Sequence, residues 1–71
     1  MVVAKKILLV DDDEALRAAL RDQLVLHEDF SIQEVANGAE AIREAKNSPF
    51  ALFIIDVGLP DMDGREVCKL L

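Results

Sequence analysis

Two short, uninterrupted apolar runs constrain the fold of this chain more than any other feature. They occupy residues 7–10 and 51–55, and the residue that follows each run is an aspartate. A strand that is apolar on both faces is typical of a parallel sheet covered by helices, whereas a strand with one solvated face alternates between apolar and polar residues. We therefore predict buried strands at 6–10 and 51–55.

The rest of the chain alternates between helical and extended patterns. Apolar residues at helical spacing predict an amphipathic helix over about 13–26. Residues 30–35 are half polar, which favours a strand at a sheet edge. A second amphipathic helix is predicted over about 39–46, before Asn47, Ser48 and Pro49. A loop with Pro and Gly follows at 57–64, and a last helix begins near Arg65.

This order of elements predicts how the chain is wound. Strand, helix, strand, helix and strand in succession indicate a parallel sheet with right-handed crossovers. If the first strand lies between the other two, the two crossover helices lie on opposite faces and the winding reverses between strands one and three. Ligands bind at such reversal points. Asp11, Asp12 and Asp56 end those two strands, so we expect them to converge on one cleft.

Composition narrows the possible partners. Fourteen acidic and eight basic residues give a net charge of −6, which repels nucleic acid and anionic lipid. The single cysteine forms no internal disulfide, and no apolar run approaches the ~20 residues of a membrane-spanning helix. No secretory leader precedes the first strand. These features predict a soluble cytoplasmic protein that contacts neither nucleic acid nor membrane.

Three converging carboxylates need a compensating charge. Two carboxylates about 4 Å apart repel by roughly 4 kcal/mol at an effective dielectric near 20. A divalent cation relieves that repulsion, and oxygen ligands suit Mg²⁺ better than zinc, which prefers Cys or His. A metal held by Asp12 and Asp56 would also bind phosphoryl oxygens, so the pattern indicates phosphoryl transfer to a carboxylate.

At these residues the chain resembles a known family. Asp11 and Asp12 after the first strand, Asp56 after the third, and the Leu-Pro-Asp-Met-Asp-Gly sequence at 59–64 are similar to the acid pair, phosphorylated aspartate and Pro-x-x-Asp-Gly loop of response-regulator receivers. The resemblance runs from Lys5 to Leu71. It implies an α/β, partial flavodoxin-like (CheY-like) doubly wound parallel sheet with strand order 2-1-3. It also implies that residues 1–71 form one receiver domain, truncated before strands 4 and 5.

The resemblance also implies a function. Asp56 would accept a phosphoryl group from a phosphohistidine of a sensor histidine kinase or phosphotransfer protein. Mg²⁺, or Mn²⁺ in its place, would be held directly by Asp12 and Asp56, through water by Asp11, and by the Gly58 carbonyl. Receivers bind the phosphoryl group with a Ser or Thr after strand 4 and a Lys after strand 5. Neither residue can be assigned in this chain, so we expect impaired phosphorylation in a signalling module that is not an enzyme.

Simpler interpretations exist for several of these residues. Residues 11–13 could form only a turn and a helix N-cap, and we assign Asp13 to the helix start. Asp61 and Asp63 are interpreted as solvated loop-capping residues, and His27 as a partly exposed capping residue. Cys68 is expected to be a small core residue.

Two other functions compete with the receiver function. An aspartyl-phosphate phosphatase of the haloacid dehalogenase type would have Asp-x-Asp on the first strand, and Asp13 followed by Glu14 and Ala15 fits that pattern poorly. The other is a non-catalytic fragment that self-associates. The third strand would offer an unpaired apolar edge, which favours a homodimer with third strands antiparallel and edge to edge. The abrupt apolar ending at Leu71 predicts that a longer domain has been cut.

Overall fold

The protein is described here by a computed structural model, in which residues 5–27 and 29–71 are placed. Strands and helices alternate strictly along the chain. The strands are β1 (Lys5–Val10), β2 (Phe30–Val35) and β3 (Leu52–Ile55). The helices are α1 (Glu14–Leu24), α2 (Gly38–Asn47) and α3 (Gly64–Leu70). The elements match the sequence-based predictions to within one or two residues at each end, the usual uncertainty of helix and strand boundaries.

The sheet has three parallel strands in the order β2-β1-β3, as predicted. Val10, the last residue of β1, is level with Val35 of β2 on one side and with Ile55 of β3 on the other. All three strands therefore end at the same edge of the sheet. This register brings the residues that follow β1 and β3 to one place.

Alternate residues of β1 face different helices. Leu8 and Val10 are buried against a cluster that includes Ala41 of α2 and Val67 of α3. Ile7 and Leu9 are equally buried but face the other way, because successive side chains of a strand alternate. Their side is covered by α1, as ion pairs from α1 to Glu34 of β2 indicate. The two crossover helices thus lie on opposite faces, as predicted.

Each helix begins after a residue whose side chain accepts a hydrogen bond from a backbone amide of the first turn. These N-caps are Asp13, Asn37 and Asp63. Such a cap stabilises a helix by about 1 kcal/mol relative to alanine, because it satisfies an amide that has no partner within the helix. The assignment of Asp13 to the helix start is confirmed. Asp63 caps α3, the helix that follows its loop.

Two expectations about burial are wrong. Cys68 is exposed, because the core face of α3 follows Gly64 and Val67, and the next residue is rotated about 100° away. β3 was expected to be covered on both faces, yet Leu52 keeps 50% of its surface exposed. Leu52 lies on the α1 side of the sheet, where the described residues provide one helix rather than two. Within residues 5–27 and 29–71, no helix is long and apolar enough to cross a membrane.

Candidate functional site

Three aspartate side chains meet at the carboxyl edge of the sheet. Asp11 and Asp12 follow β1, Asp56 follows β3, and one carboxylate oxygen from each lies within 4.8 Å of the others. Asp11 is buried, Asp12 is exposed and Asp56 is intermediate. The convergence predicted from the strand order is therefore confirmed, and the cluster is open to solvent on the Asp12 side.

The position of Asp56 follows from the pairing of β1 with β3. Its backbone amide donates to the carbonyl of Val10 at 2.9 Å, one step beyond the last register pair, Val10 and Ile55. The ladder therefore continues into the site, and Asp56 leaves the sheet directly beside Asp11. The backbone of Asp56 is thus fixed at the carboxyl edge of the sheet.

Asp11 is held at three points. Its amide donates to the carbonyl of Val35 at 3.2 Å, which extends the β1–β2 ladder by one residue. Its Oδ1 accepts from the amide of Asp13 at 2.9 Å, and its carbonyl accepts from Nη1 of Arg17 at 2.7 Å. The Arg17 side chain is 16% exposed and also pairs with Glu34. The turn that presents Asp11 and Asp12 is thus fixed to both β2 and α1.

The cluster carries negative charge without a nearby side-chain cation. Among residues 5–27 and 29–71, no Lys, Arg or His nitrogen lies within 4 Å of an oxygen of these three carboxylates. At 4.8 Å, two carboxylates repel by about 3.5 kcal/mol at an effective dielectric of 20, and by about 1 kcal/mol in bulk water. A set of hard oxygen donors with solvent access fits a small divalent cation that retains water ligands.

The loop after Asp56 folds back onto it. The amide of Gly64 donates to the carbonyl of Val57 at 2.9 Å, and a Cβ at Gly64 would collide with the carbonyl of Asp56. Gly58 also lies beside the cluster, since a Cβ there would stand 3.9 Å from Oδ2 of Asp56. The loop therefore lies beside Asp56, and the hydrogen bond between Gly64 and Val57 joins its two ends.

Two loop carboxylates outside the cluster have lowered pKa values. Hydrogen bonds from the side chain and then the amide of Arg65 lower the pKa of Asp63 to about 2. Hydrogen bonds from the amides of Gly38 and Ala39 lower the pKa of Asp61. Both groups therefore have partners that stabilise their charged form, and neither belongs to the three-carboxylate cluster.

Comparison with known proteins identifies the family. The model of the response regulator receiver domain matches residues 7–71. This chain belongs to the response-regulator receiver family. The resemblance and the CheY-like fold predicted from the sequence are both confirmed.

Two transcriptional regulators illustrate how this receiver segment relates to longer proteins. Transcriptional regulatory protein ResD of Bacillus subtilis is 41% identical over 64 residues, covering 90% of this chain and 26% of ResD. Transcriptional regulatory protein SrrA of Staphylococcus aureus is 38% identical over 69 residues, covering 97% of this chain and 28% of SrrA. The chain thus spans about a quarter of the length of these relatives.

Solved receivers have the same fold. The chemotaxis response regulator CheY4 of Vibrio cholerae superimposes with a TM-score of 0.88 at 31% identity, covering 94% of this chain and 55% of CheY4. A crystal structure of histidine kinase ThkA in complex with response regulator protein TrrA matches with a TM-score of 0.84 at 34% identity, covering 92% of this chain and 55% of the matched chain. The three strands described here are therefore about half of a solved receiver.

Two residues that organise this receiver site were not assigned to it from sequence. Arg17 received no role in the sequence-based predictions, although Arg17 and Arg21 are spaced to reach one acidic residue together, and both pair with Glu34. Asp61 was interpreted as a cap within its own loop. Its carboxylate instead binds α2, more than twenty positions earlier in the chain, and no local pattern signals that contact.

Proposed function

We propose that this segment is the phosphoacceptor part of a receiver and that Asp56 takes a phosphoryl group from a phosphohistidine. The donor would be a sensor histidine kinase or a phosphotransfer protein. The observation that carries the proposal is the meeting of Asp56 with Asp11 and Asp12 at the carboxyl edge of the sheet. The similarity to a complex of a response regulator with a histidine kinase supports the class of partner.

In the proposed reaction, a carboxylate oxygen of Asp56 attacks phosphorus in line with the phosphorus–nitrogen bond. A bond from Asp56 to phosphorus forms, and the bond to the donor histidine breaks, leaving its electron pair on the imidazole. The hydrogen bond from the Asp56 amide to the Val10 carbonyl would hold the Asp56 backbone in place during the transfer. The segment acts on its own aspartate and is therefore a signalling module rather than an enzyme with a separate substrate.

The proposed cofactor is Mg²⁺, for which Mn²⁺ can substitute. Asp12 and Asp56 would be direct ligands, Asp11 would act mainly through water, and the Gly58 carbonyl would complete the protein ligands. The exposure of Asp12 suits a site that keeps water positions, and the hydrogen bond from the Asp13 amide orients Asp11. When bound, the metal would neutralise charge that develops on the transferring phosphoryl oxygens.

The 71 residues taken alone should react slowly. The Ser or Thr and the Lys that bind the phosphoryl group in receivers follow strands 4 and 5, which have no counterpart among β1, β2 and β3. Metal binding should therefore persist while phosphorylation and the conformational response are weak. We place residues 1–71 in one receiver domain in the cytoplasm, and we propose that the segment, with its net charge of −6, makes no nucleic-acid or membrane contact.

A second candidate is a non-catalytic segment that self-associates. Within the part of the chain that the structure describes, β3 pairs only with β1, so its outer edge has no strand partner. Leu52 is half exposed on that strand. We propose that two copies of the 71-residue chain pair antiparallel along β3 in a homodimer, with exchange of the last helix as the alternative arrangement.

Intact-mass measurement after incubation with acetyl phosphate and Mg²⁺ tests the phosphoacceptor proposal. We expect partial addition of one phosphoryl group, which disappears with EDTA and in Asp56→Asn. Asp63→Asn is the matched control, because it removes a carboxylate outside the cluster, and it should retain the modification. Modification that persists in Asp56→Asn would contradict Asp56 as the acceptor. Complete absence of modification together with a dimeric mass in solution would favour the second candidate.

A further inference from the structure

The loop that carries Gly58 is attached to α2 as well as to β3. Oδ1 of Asp61 accepts from the amide of Gly38 at 2.9 Å, and Oδ2 accepts from the amide of Ala39 at 3.0 Å. The two oxygens of one carboxylate thus each accept a hydrogen bond from one of two successive amides at the start of α2. These amides have no acceptor within the helix, and a negative charge is favourable there.

Next to this contact, Met62 packs against the same helix start. A Cβ at Gly38 would lie 2.5 Å from Cγ and 2.7 Å from Sδ of Met62. Gly38 is buried, so the approach of Met62 depends on the absence of a side chain there. The loop therefore meets α2 through a polar contact at Asp61 and an apolar contact at Met62.

Two side chains other than Asp61 also cap the first turn of α2. Oδ1 of Asn37 accepts from the amide of Glu40 at 2.9 Å, and Oε2 of Glu40 accepts from the amide of Ala36 at 3.1 Å. The helix start is thus capped by its own residues, independently of the loop. The two hydrogen bonds of Asp61 therefore attach the loop to α2 and also provide acceptors for two further amides of the helix.

Gly58 lies between two anchors of its loop. At the base, the amide of Gly64 donates to the carbonyl of Val57. On the far side, Asp61 is bound to α2. The intervening residues have little freedom to move away from the carboxylate cluster, and Gly58 remains beside Asp56.

We propose that Asp61 is a positioning residue for the metal site, acting through the loop that carries Gly58 rather than by touching the cation. The inference rests on the proposed function, since it assigns Asp61 a role toward the proposed ligand at Gly58. Loss of both hydrogen bonds would leave only the apolar contact of Met62 between the loop and α2, while Asp11, Asp12 and Asp56 stay in place. The Gly58 carbonyl would then have to be reordered each time the cation binds.

The test compares Asp61→Ala, Asp61→Asn and Asp63→Asn by Mg²⁺ titration followed by amide NMR shifts. Asp61→Ala removes both acceptors, whereas Asp61→Asn removes the charge and keeps one oxygen. Asp63→Asn removes an equal charge from the same loop and keeps an N-cap oxygen for α3, without touching α2. It therefore controls for the loss of negative charge near the site.

We expect Mg²⁺ affinity to fall about tenfold in Asp61→Ala, the scale typical for partners that orient metal ligands. The loss should be smaller in Asp61→Asn and stay within about twofold in Asp63→Asn, because the solvated loop charge is screened. Equal losses in Asp61→Asn and Asp63→Asn, with no further loss in Asp61→Ala, would overturn the proposal. If Asp61→Ala fails to fold, the comparison of Asp61→Asn with Asp63→Asn decides.

Spectra without metal separate this inference from the proposed function. Asp61→Ala, or Asp61→Asn in its place, should shift the amides of residues 57–59, whereas Asp63→Asn should leave them unchanged. If the unaltered chain shows no response to Mg²⁺, the proposed metal site fails, and the metal-free spectra alone decide whether Asp61 holds the loop. Unchanged amides at 57–59 in both Asp61 variants would overturn the positioning role.

Discussion

The guanidinium of Arg17 binds the backbone of Asp11. Nη1 of Arg17 donates to the Asp11 carbonyl at 2.7 Å, while Nε of the same side chain donates to Glu34 at 3.2 Å. One side chain of α1 therefore connects the end of β1 to the neighbouring strand β2. The turn that presents Asp11 and Asp12 is held from outside the carboxylate cluster.

Arg17→Ala should destabilise the fold by about 1.5 to 3 kcal/mol, because it removes hydrogen bonds that involve a charged group and are largely shielded from solvent. Urea unfolding followed by circular dichroism measures the change. Arg21→Ala is the control, since Arg21 also pairs with Glu34 but its side chain is 42% exposed, and its loss should destabilise the fold clearly less than Arg17→Ala does. Equal costs for both variants would refute the special role of Arg17.

The three glycines should respond to alanine in a fixed order. Gly64→Ala should cost about 3 kcal/mol or more, because its Cβ collides with the backbone of Asp56. Gly38→Ala should cost about 1 to 3 kcal/mol, because Met62 and Val67 must move. Gly58→Ala should stay within about 0.5 kcal/mol, because only Asp56 Oδ2 lies near, at 3.9 Å. Urea midpoints measured in the presence of a stabilising osmolyte check the order.

Asp12→Ala should abolish the response to Mg²⁺ or Mn²⁺, because the variant removes the solvent-facing carboxylate of the cluster. NMR titration should show shifts near Asp11, Asp12 and Asp56 in the unaltered chain and none in Asp12→Ala. Asp29→Ala provides the matched control: Asp29 is exposed and precedes β2 at the opposite edge of the sheet, so the response should remain. A response that survives Asp12→Ala would rule out this metal site.

The lowered pKa of Asp63 should depend on the side chain of Arg65. The lowered pKa, about 2 against an ordinary 3.8, means that the charged form of Asp63 stabilises the folded state at pH values above 3.8. That contribution should be lost as the pH falls from about 3.8 to about 2. Arg65→Ala should raise the pKa of Asp63 toward the ordinary value, as measured by NMR titration of the carboxyl group. Asp61 should not change, because its lowered pKa depends on the amides of Gly38 and Ala39.

Ile54→Asp should unfold or aggregate the 71-residue chain, because Ile54 lies in β3 opposite buried Leu9. Losing the apolar side chain and placing a charge there should cost about 2 to 5 kcal/mol, which is comparable to the whole stability of a small domain. Gln23→Asp adds the same charge on an exposed position of α1 and should be tolerated.

Light scattering coupled to size exclusion should give a dimeric mass for the unaltered chain. A folded monomer at high micromolar concentration would disprove pairing along β3.

The strands and the aspartates that follow them could be predicted because both depend on local patterns. An apolar run that ends in aspartate marks where a buried strand leaves the sheet. The strand order 2-1-3, which brings those aspartates together, was implied by the resemblance to receivers. The site of Asp11, Asp12 and Asp56 could therefore be located without coordinates. The role of Asp56 as phosphoacceptor remains a prediction.

What the sequence did not reveal depends on long-range contacts or helix rotation. The contact of Asp61 with α2 joins residues more than twenty positions apart, so nothing near Asp61 indicates it. The exposure of Cys68 depends on which residues of a seven-residue helix face the core, and an apolar pattern this short does not fix that rotation. Arg17 received no role from sequence because a charged residue on a helix is usually solvated.

The central place of β1 in the sheet has a consequence for how the protein is made. Of the three described strands, β1 is translated first, yet Leu52 of its neighbour β3 is 45 positions later than Ile7. Contacts of such long separation form slowly, and an apolar strand without neighbours is prone to aggregate while it waits. On the ribosome, residues 7–10 must therefore remain unpaired on the β3 side until β3 has left the exit tunnel, and that apolar edge is open to wrong pairing until then.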